Sequence, residues 1–231
     1  YIKSPPICLF NNHTLFFDYL DSKESVEANG GRVAGGVTFE RNGGRFSDGF
    51  LSNVDGEKIT YPAKNRIKGS EGTISMWIRP KFALPSNAAN HTFFKISDNS
   101  GKYLEAKLGS DERLMWRYYN GTTITDLFSS GALDWEKDEM HHLAFTWGLD
   151  YGMEVWIDGK LNNSNAVTGG LGTDFTNQDI QLGYVYSGET LNMVISELRV
   201  DDCQRRFPAA GDDLEMGGIN LFTNSDIEDG L

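Results

Sequence analysis

The sequence predicts an all-β protein, built as a two-sheet antiparallel sandwich or a barrel. Three observations carry this expectation. Short runs rich in β-branched and aromatic residues follow one another, bounded by Gly and Asn. Two dipeptides, Asn120-Gly121 and Asp158-Gly159, are strong hairpin signals between such runs. A 3.6-residue apolar period sustained over more than about ten residues is hard to find.

Residues 1–12 form a leading arm, where Pro5-Pro6 blocks helix and ladder donation. Thr14-Leu15-Phe16-Phe17 is a first strand, and Asp18 to Gly31 a polar loop with one helical turn. Val37-Thr38-Phe39 is a short strand before the turn Asn42-Gly43-Gly44. Gly72 to Pro80 is a β-rich run stopped by proline. His91 to Ile96, Tyr103 to Leu108, Leu114 to Tyr119 and Thr122 to Phe128 follow. His141 to Trp147, Met153 to Ile157, Ile180 to Tyr186 and Met193 to Val200 close the series. Residues 205–231 read as a C-terminal tail that packs on a neighbour or on the sandwich surface, the composition changing character from Phe207 to Leu231.

The chain has 231 residues and a net charge of −12. That length suits one sandwich with a full core. The charge argues against nucleic acid or an anionic membrane as partner. It reflects solubility or, alternatively, carboxylates that hold a hard cation such as Ca²⁺. No run approaches 18 apolar residues, so membrane insertion is not expected. The first residue is Tyr1, so removal of a signal peptide, or trimming, is expected. Four sequons, at Asn12, Asn90, Asn120 and Asn162, are N-glycosylation acceptors in a secretory context. The two cysteines, Cys8 and Cys203, form either a bridge or two buried thiols.

Four motifs resemble a known family. Gly72-Thr73-Ile74-Ser75-Met76-Trp77-Ile78-Arg79-Pro80, His141-His142-Leu143-Ala144-Phe145-Thr146-Trp147, Glu154-Val155-Trp156-Ile157-Asp158-Gly159-Lys160-Leu161 and Ile195-Ser196-Glu197-Leu198-Arg199-Val200 are similar to strands of laminin-G-like, concanavalin A-like jelly-roll domains. They occur in that family's order and spacing, across roughly residues 13–204. The resemblance implies a jelly-roll β-sandwich over 13–204, with short terminal extensions at 1–12 and 205–231. It also implies adjacent first and last strands, and that adjacency makes a Cys8–Cys203 bridge worth considering. The family often has Asp where this chain has Ser196. That position helps hold a structural Ca²⁺, which here would involve Asp18 or Asp21 with Glu197. The alternative is that Asp18 and Asp21 cap turns and Glu197 accepts hydrogen bonds from backbone amides.

The fold hosts lectins, adhesion domains, glycanases and virion proteins, so it does not decide function. Glycanases on this fold carry an E-x-D-x-E strand that sets acid, helper and nucleophile on one face. None occurs here, and no catalytic residues are assigned. His141 and His142 point to opposite faces of their strand and cannot share a metal in simple geometry.

Aromatic residues outside the core remain as candidates. Leu143, Phe145 and Trp147 face the core, as do Met153, Val155 and Ile157, which leaves Trp156 pointing away. Trp77 lies opposite Ile74, Met76 and Ile78. Leu114, Trp116 and Tyr118 share one face of their strand, opposite Met115, Arg117 and Tyr119. Rings beside polar groups suit a sugar, since a flat ring covers the apolar side of a pyranose and polar neighbours take its hydroxyls. Trp77, Trp116, Tyr118 and Trp156 are the candidate glycan-binding residues. The function expected is a non-catalytic, extracellular or surface-displayed module that binds a glycan or glycosylated partner. The alternative is a structural subunit of a virion, appendage or extracellular fibre that self-assembles through its terminal extensions.

Overall fold

In the computed structural model, residues 13–85, 89–167, 170–183, 186, 188–189 and 191–205 are described. Among them are fifteen strands and one short helix. In chain order they are β1 (Thr14–Asp18), α1 (Lys23–Ala28), β2 (Arg32–Ala34), β3 (Thr38–Glu40), β4 (Gly49–Ser52), β5 (Lys58–Pro62), β6 (Gly72–Pro80), β7 (His91–Ser97), β8 (Tyr103–Leu108), β9 (Leu114–Tyr119), β10 (Ile124–Phe128), β11 (His141–Trp147), β12 (Met153–Ile157), β13 (Lys160–Asn165), β14 (Asp179–Gly183) and β15 (Met193–Asp201).

The strands form two antiparallel sheets. One runs β13-β12-β11-β6-β15-β4-β3, with β1 also pairing β15. The other runs β10-β9-β8-β7-β14-β5-β2. The first and last strands are therefore neighbours, with Asp18 opposite Leu198. The expected helical turn is α1, capped by the Ser22 hydroxyl, which accepts from the Ser25 amide.

Alternation decides which side chains meet between the sheets. From the eight-stranded sheet come Ile74, Met76, Ile78, Leu143, Phe145, Trp147 and Val155, all fully buried. From the seven-stranded sheet come Phe94, Leu104, Leu114, Trp116 and Leu182. A bulge between Thr92 and Phe94 lets both Phe93 and Phe94 bury. Trp116 stands at the centre, its ring 5.5 Å from Phe145 and 5.7 Å from Phe94.

Both hairpin signals sit at hairpins, with different loops. Asp158 (φ 50°) and Gly159 (φ 74°) both take positive φ, as a two-residue type I′ turn requires. The Asn120-Gly121 loop is longer, because Ile124 pairs with Tyr119 across four intervening residues. There the Asn120 side-chain oxygen accepts from the Thr122 and Thr123 amides, so the side chain closes the turn.

Candidate functional site

The seven-stranded sheet turns one face to the core and the other outward. Register builds the outward face row by row. Gln181 pairs with Lys95, Lys95 with Glu105, Glu105 with Arg117, and Arg117 with Asp126. One polar row thus crosses five strands, β14-β7-β8-β9-β10. Two residues further along each strand, Tyr103 pairs with Tyr119 and Tyr119 with Ile124. The two tyrosine rings lie 5.1 Å apart at 34° and are half-buried, so each keeps part of its surface open.

The charges on this face are arranged in pairs. Arg117 Nε and Nη2 donate to Asp126 Oδ1 and Oδ2 at 2.6 and 2.8 Å, a bidentate grip. Lys95 Nζ donates to the Tyr186 hydroxyl at 2.7 Å and sits 4.3 Å from the Tyr103 ring centroid. Lys107 faces Glu189 at 3.7 Å, and Glu189 also accepts from Asn90 and Thr92. Burial pushes the Lys95 ammonium pKa down and the Tyr186 hydroxyl pKa up.

Glu105 lies under this surface with no solvent exposure. Among the described residues neither of its carboxylate oxygens has a hydrogen-bond partner. The Tyr186 hydroxyl bears on its ionisation without reaching hydrogen-bond geometry. Burial raises the Glu105 pKa, against the pull of Lys107, Lys95 and Arg117.

The structure relocates the aromatic candidates. Trp116 is fully buried, and its indole N–H donates to the Thr146 carbonyl at 2.9 Å. Tyr118 is 8% exposed and its hydroxyl donates to the Gly170 carbonyl. Both belong to the core, which corrects the expectation that they meet a sugar. The shared face of Leu114, Trp116 and Tyr118 is the apolar one, and burying it excludes the larger apolar area from water. The opposite face, carrying Arg117 and Tyr119, is the open one. Trp156 does lie off the main core, yet it is only 5% exposed, packed with Ala144, its N–H donating to Glu154. Ser75, His142, Ala144, Thr146 and Glu154 on that side are buried too. Trp77 is half-buried, with His142 at its edge and the Arg45 guanidinium 5.2 Å over its ring. Sequence reasoning missed Tyr103, Tyr119, Lys95, Glu105 and Asp126. The alternation that set Arg117 and Tyr119 opposite Trp116 was the available signal.

Of the expected calcium ligands, Asp18 and Glu197 lie near each other across the β1–β15 pair, but among the described residues they form no ligating group with Asp21. Asp18 accepts from the Leu20 amide, Asn29 and the Tyr61 hydroxyl, each at 2.8 Å. Asp21 accepts from the Ser22 hydroxyl. Glu197 accepts from the Phe46 amide at 3.1 Å, the Arg45 amide, and the Ser47 and Ser196 hydroxyls. Carboxylate oxygens ringed by N–H and O–H donors do not suit a cation that wants six to eight oxygens, so these residues do not fit Ca²⁺. Among the described residues one group of metal-ligating types is close together: His13, Asp202 and Cys203, with ligand atoms within 4.8 Å of one another. Cys203 is disulfide-bonded and has no thiolate to give. Cys8, the other cysteine of the sequence, lies outside the described residues.

His141 and His142 do point apart. His141 stacks on Trp135 at 4.3 Å and its Nδ1 meets Asp158 at 2.9 Å. His142 is buried beside Trp77. Of the sequons, Asn120 and Asn162 lend their side-chain oxygens to neighbouring amides, and Asn90 bonds Ser110 and Glu189. Asn12 lies outside the described residues.

Solved structures share this architecture. The binding domain of Paraclostridial Mosquitocidal Protein 1 aligns at a TM-score of 0.66 with 19% identity, over 83% of this chain and 49% of that one. Domain 4 of AbnA, a GH43 extracellular arabinanase from Geobacillus stearothermophilus solved with arabinotriose, aligns at 0.61 with 15% identity, over 84% and 94%. The receptor binding domain of a botulinum neurotoxin C/D mosaic serotype aligns at 0.61 with 15% identity, over 83% and 48%. The chain thus spans about half the length of the toxin domains it matches. These likenesses are of fold. No curated protein sequence matches this one. A sequence-family model does match, over residues 51–205, and the chain belongs to the concanavalin A-like lectin/glucanases superfamily.

Proposed function

We propose that the chain is a non-catalytic recognition module that binds a glycan or a glycosylated partner on the outward face of its seven-stranded sheet. The carrying observation is the Tyr103–Tyr119 ring pair set beside the Lys95–Glu105–Arg117–Asp126 row. Partly open rings next to donors and acceptors are what a sugar requires, the ring surface taking C–H groups and the charged row taking hydroxyls. The fold is that of toxin receptor-binding domains and of an arabinanase domain solved with arabinotriose, which supports a binding role outside the cell. Among the described residues no helix is long and apolar enough to cross a membrane.

The test is binding of a neutral oligosaccharide array by the intact chain and by Tyr103→Ala and Tyr119→Ala. The expected result is a subset of bound sugars, lost in both variants while the melting temperature falls by no more than a few degrees. Unchanged binding in both variants would move the site elsewhere.

A second role, self-assembly, has an observation of its own. Among the described residues strand β1 pairs only with β15, and its outward Leu15, Phe17 and neighbouring Tyr19 are exposed. An apolar strand at a sheet edge invites another chain. The extensions named in the sequence, 1–12 and most of 205–231, lie outside the described residues. Light scattering of the intact chain and of Phe17→Glu tests this. A defined oligomer that the substitution dissolves supports assembly, and a monomer in both sinks it.

A further inference from the structure

We propose that Glu105 is the residue that reads the ligand on this face, and that the ligand is a neutral saccharide offering two neighbouring hydroxyls. This deepens the function proposed above and rests on it.

Three cations surround Glu105 and attract it, but the hydrogen bonds they make go elsewhere. Arg117, directly across the β8–β9 pair, gives two of its N–H groups to Asp126. Lys95, directly across the β7–β8 pair, gives its ammonium to Tyr186. Lys107, two residues along, faces Glu189. The carboxylate is left fully buried, its two oxygens without a hydrogen-bond partner among the described residues. Folded proteins rarely keep such a group, because losing water without gaining a partner costs stability. Groups that break this rule are expected at functional or strained sites.

The chemistry of the missing partner follows. A carboxylate only accepts, so its partner donates. Lys95, Lys107 and Arg117 stand against Glu105, Asp126 and Glu189, three positive groups against three negative. The face therefore rewards neither an acidic sugar nor a cation. Two carboxylate oxygens match two hydroxyls on adjacent carbons, and the Tyr103 and Tyr119 rings lie one step along the same face. A hydroxyl reaches Glu105 by parting the exposed Lys95–Tyr186 contact.

The experiment is calorimetric titration of the intact chain, Glu105→Gln and Glu105→Leu with arabinotriose, cellotriose, lactose and trigalacturonate, alongside thermal melts. The expected result is a neutral sugar that binds the unmodified chain and binds both variants at least about tenfold more weakly, as for loss of a charged hydrogen bond. Melting temperatures of both variants stay level or rise. Equal affinity in variants and parent would overturn the role of Glu105 and leave the face standing. Binding of trigalacturonate alone would overturn the neutral class. A drop of several degrees in both variants would make Glu105 a structural residue. Binding of none of the four would overturn this proposal together with the saccharide function it rests on.

Discussion

Arg117 grips Asp126 with two hydrogen bonds, at 2.6 and 2.8 Å, across the β9–β10 pair. Its other cross-strand neighbour, Glu105, attracts the guanidinium but makes no hydrogen bond with it.

A double-mutant cycle measures the grip. Arg117→Ala, Asp126→Ala and the double variant, compared by denaturant unfolding, are expected to give a coupling of about 1 kcal/mol. Both side chains are partly open to solvent, which limits the value. A coupling near zero would mean that the pair does not order the row.

Trp116 and Tyr119 stand three residues apart with opposite roles. Trp116→Ala is expected to cost about 3–5 kcal/mol, because it empties the centre of the core. Tyr119→Ala is expected to cost about 1 kcal/mol or less, because the ring is half outside. Unfolding curves of the two variants check this, and similar losses in both would contradict the assignment of faces.

The strand pattern was legible because alternation and turn residues are local. Gly72 to Pro80, His141 to Trp147 and the Asp158-Gly159 hairpin all read directly. Three short strands, β2, β4 and β5, were not seen, and β13 only as far as Leu161, since Lys58 to Pro62 and Lys160 to Asn165 lack a dense apolar run and are held by their neighbours. The site was half legible. Alternation separates Trp116 from Arg117 and Tyr119, but it does not say which face is inward. Only pairing across β7, β8, β9 and β10 brings Lys95, Glu105, Arg117 and Asp126 into one row. That Glu197 would accept from backbone amides was one of the two expectations, but which amides was hidden, because they come from Arg45 and Phe46, about 150 residues away.

Acid titration separates two buried groups of opposite sign. Burial holds the Glu105 pKa above its ordinary 4.5. The folded chain therefore keeps that proton longer than the unfolded one. Its contribution is full below pH 4.5 and is lost as pH rises through the folded value. Glu105→Gln should melt higher than the parent at neutral pH, with the gain vanishing near pH 4. His142 behaves conversely. Burial, with Arg205 and Arg199 nearby, pushes its pKa down to about 4 against the pull of Asp158. Its contribution is full above pH 6.5 and is lost as pH falls towards 4. His142→Gln should flatten the melting curve across that window. Melts from pH 4 to 8 that keep the parent's slopes in both variants would contradict these environments.

Chelation tests the fit of Asp18, Asp21 and Glu197 to calcium. Their oxygens are already bonded to amides, hydroxyls and Asn29. EDTA should therefore leave the melting temperature within about 1 °C, since removing a bound ion lowers it by mass action. Glu197→Ala should destabilise the chain by about 2–3 kcal/mol with or without calcium, by releasing the 44–47 loop. A chelator-dependent melt would show a metal held by groups other than those argued.

The most direct test of the central claim is amide shift mapping by NMR during titration with a bound neutral oligosaccharide. The account predicts that the largest shifts cluster on Lys95, Tyr103, Glu105, Arg117, Tyr119 and Asp126. Shifts confined to Trp77, Arg45 and the eight-stranded sheet would contradict it.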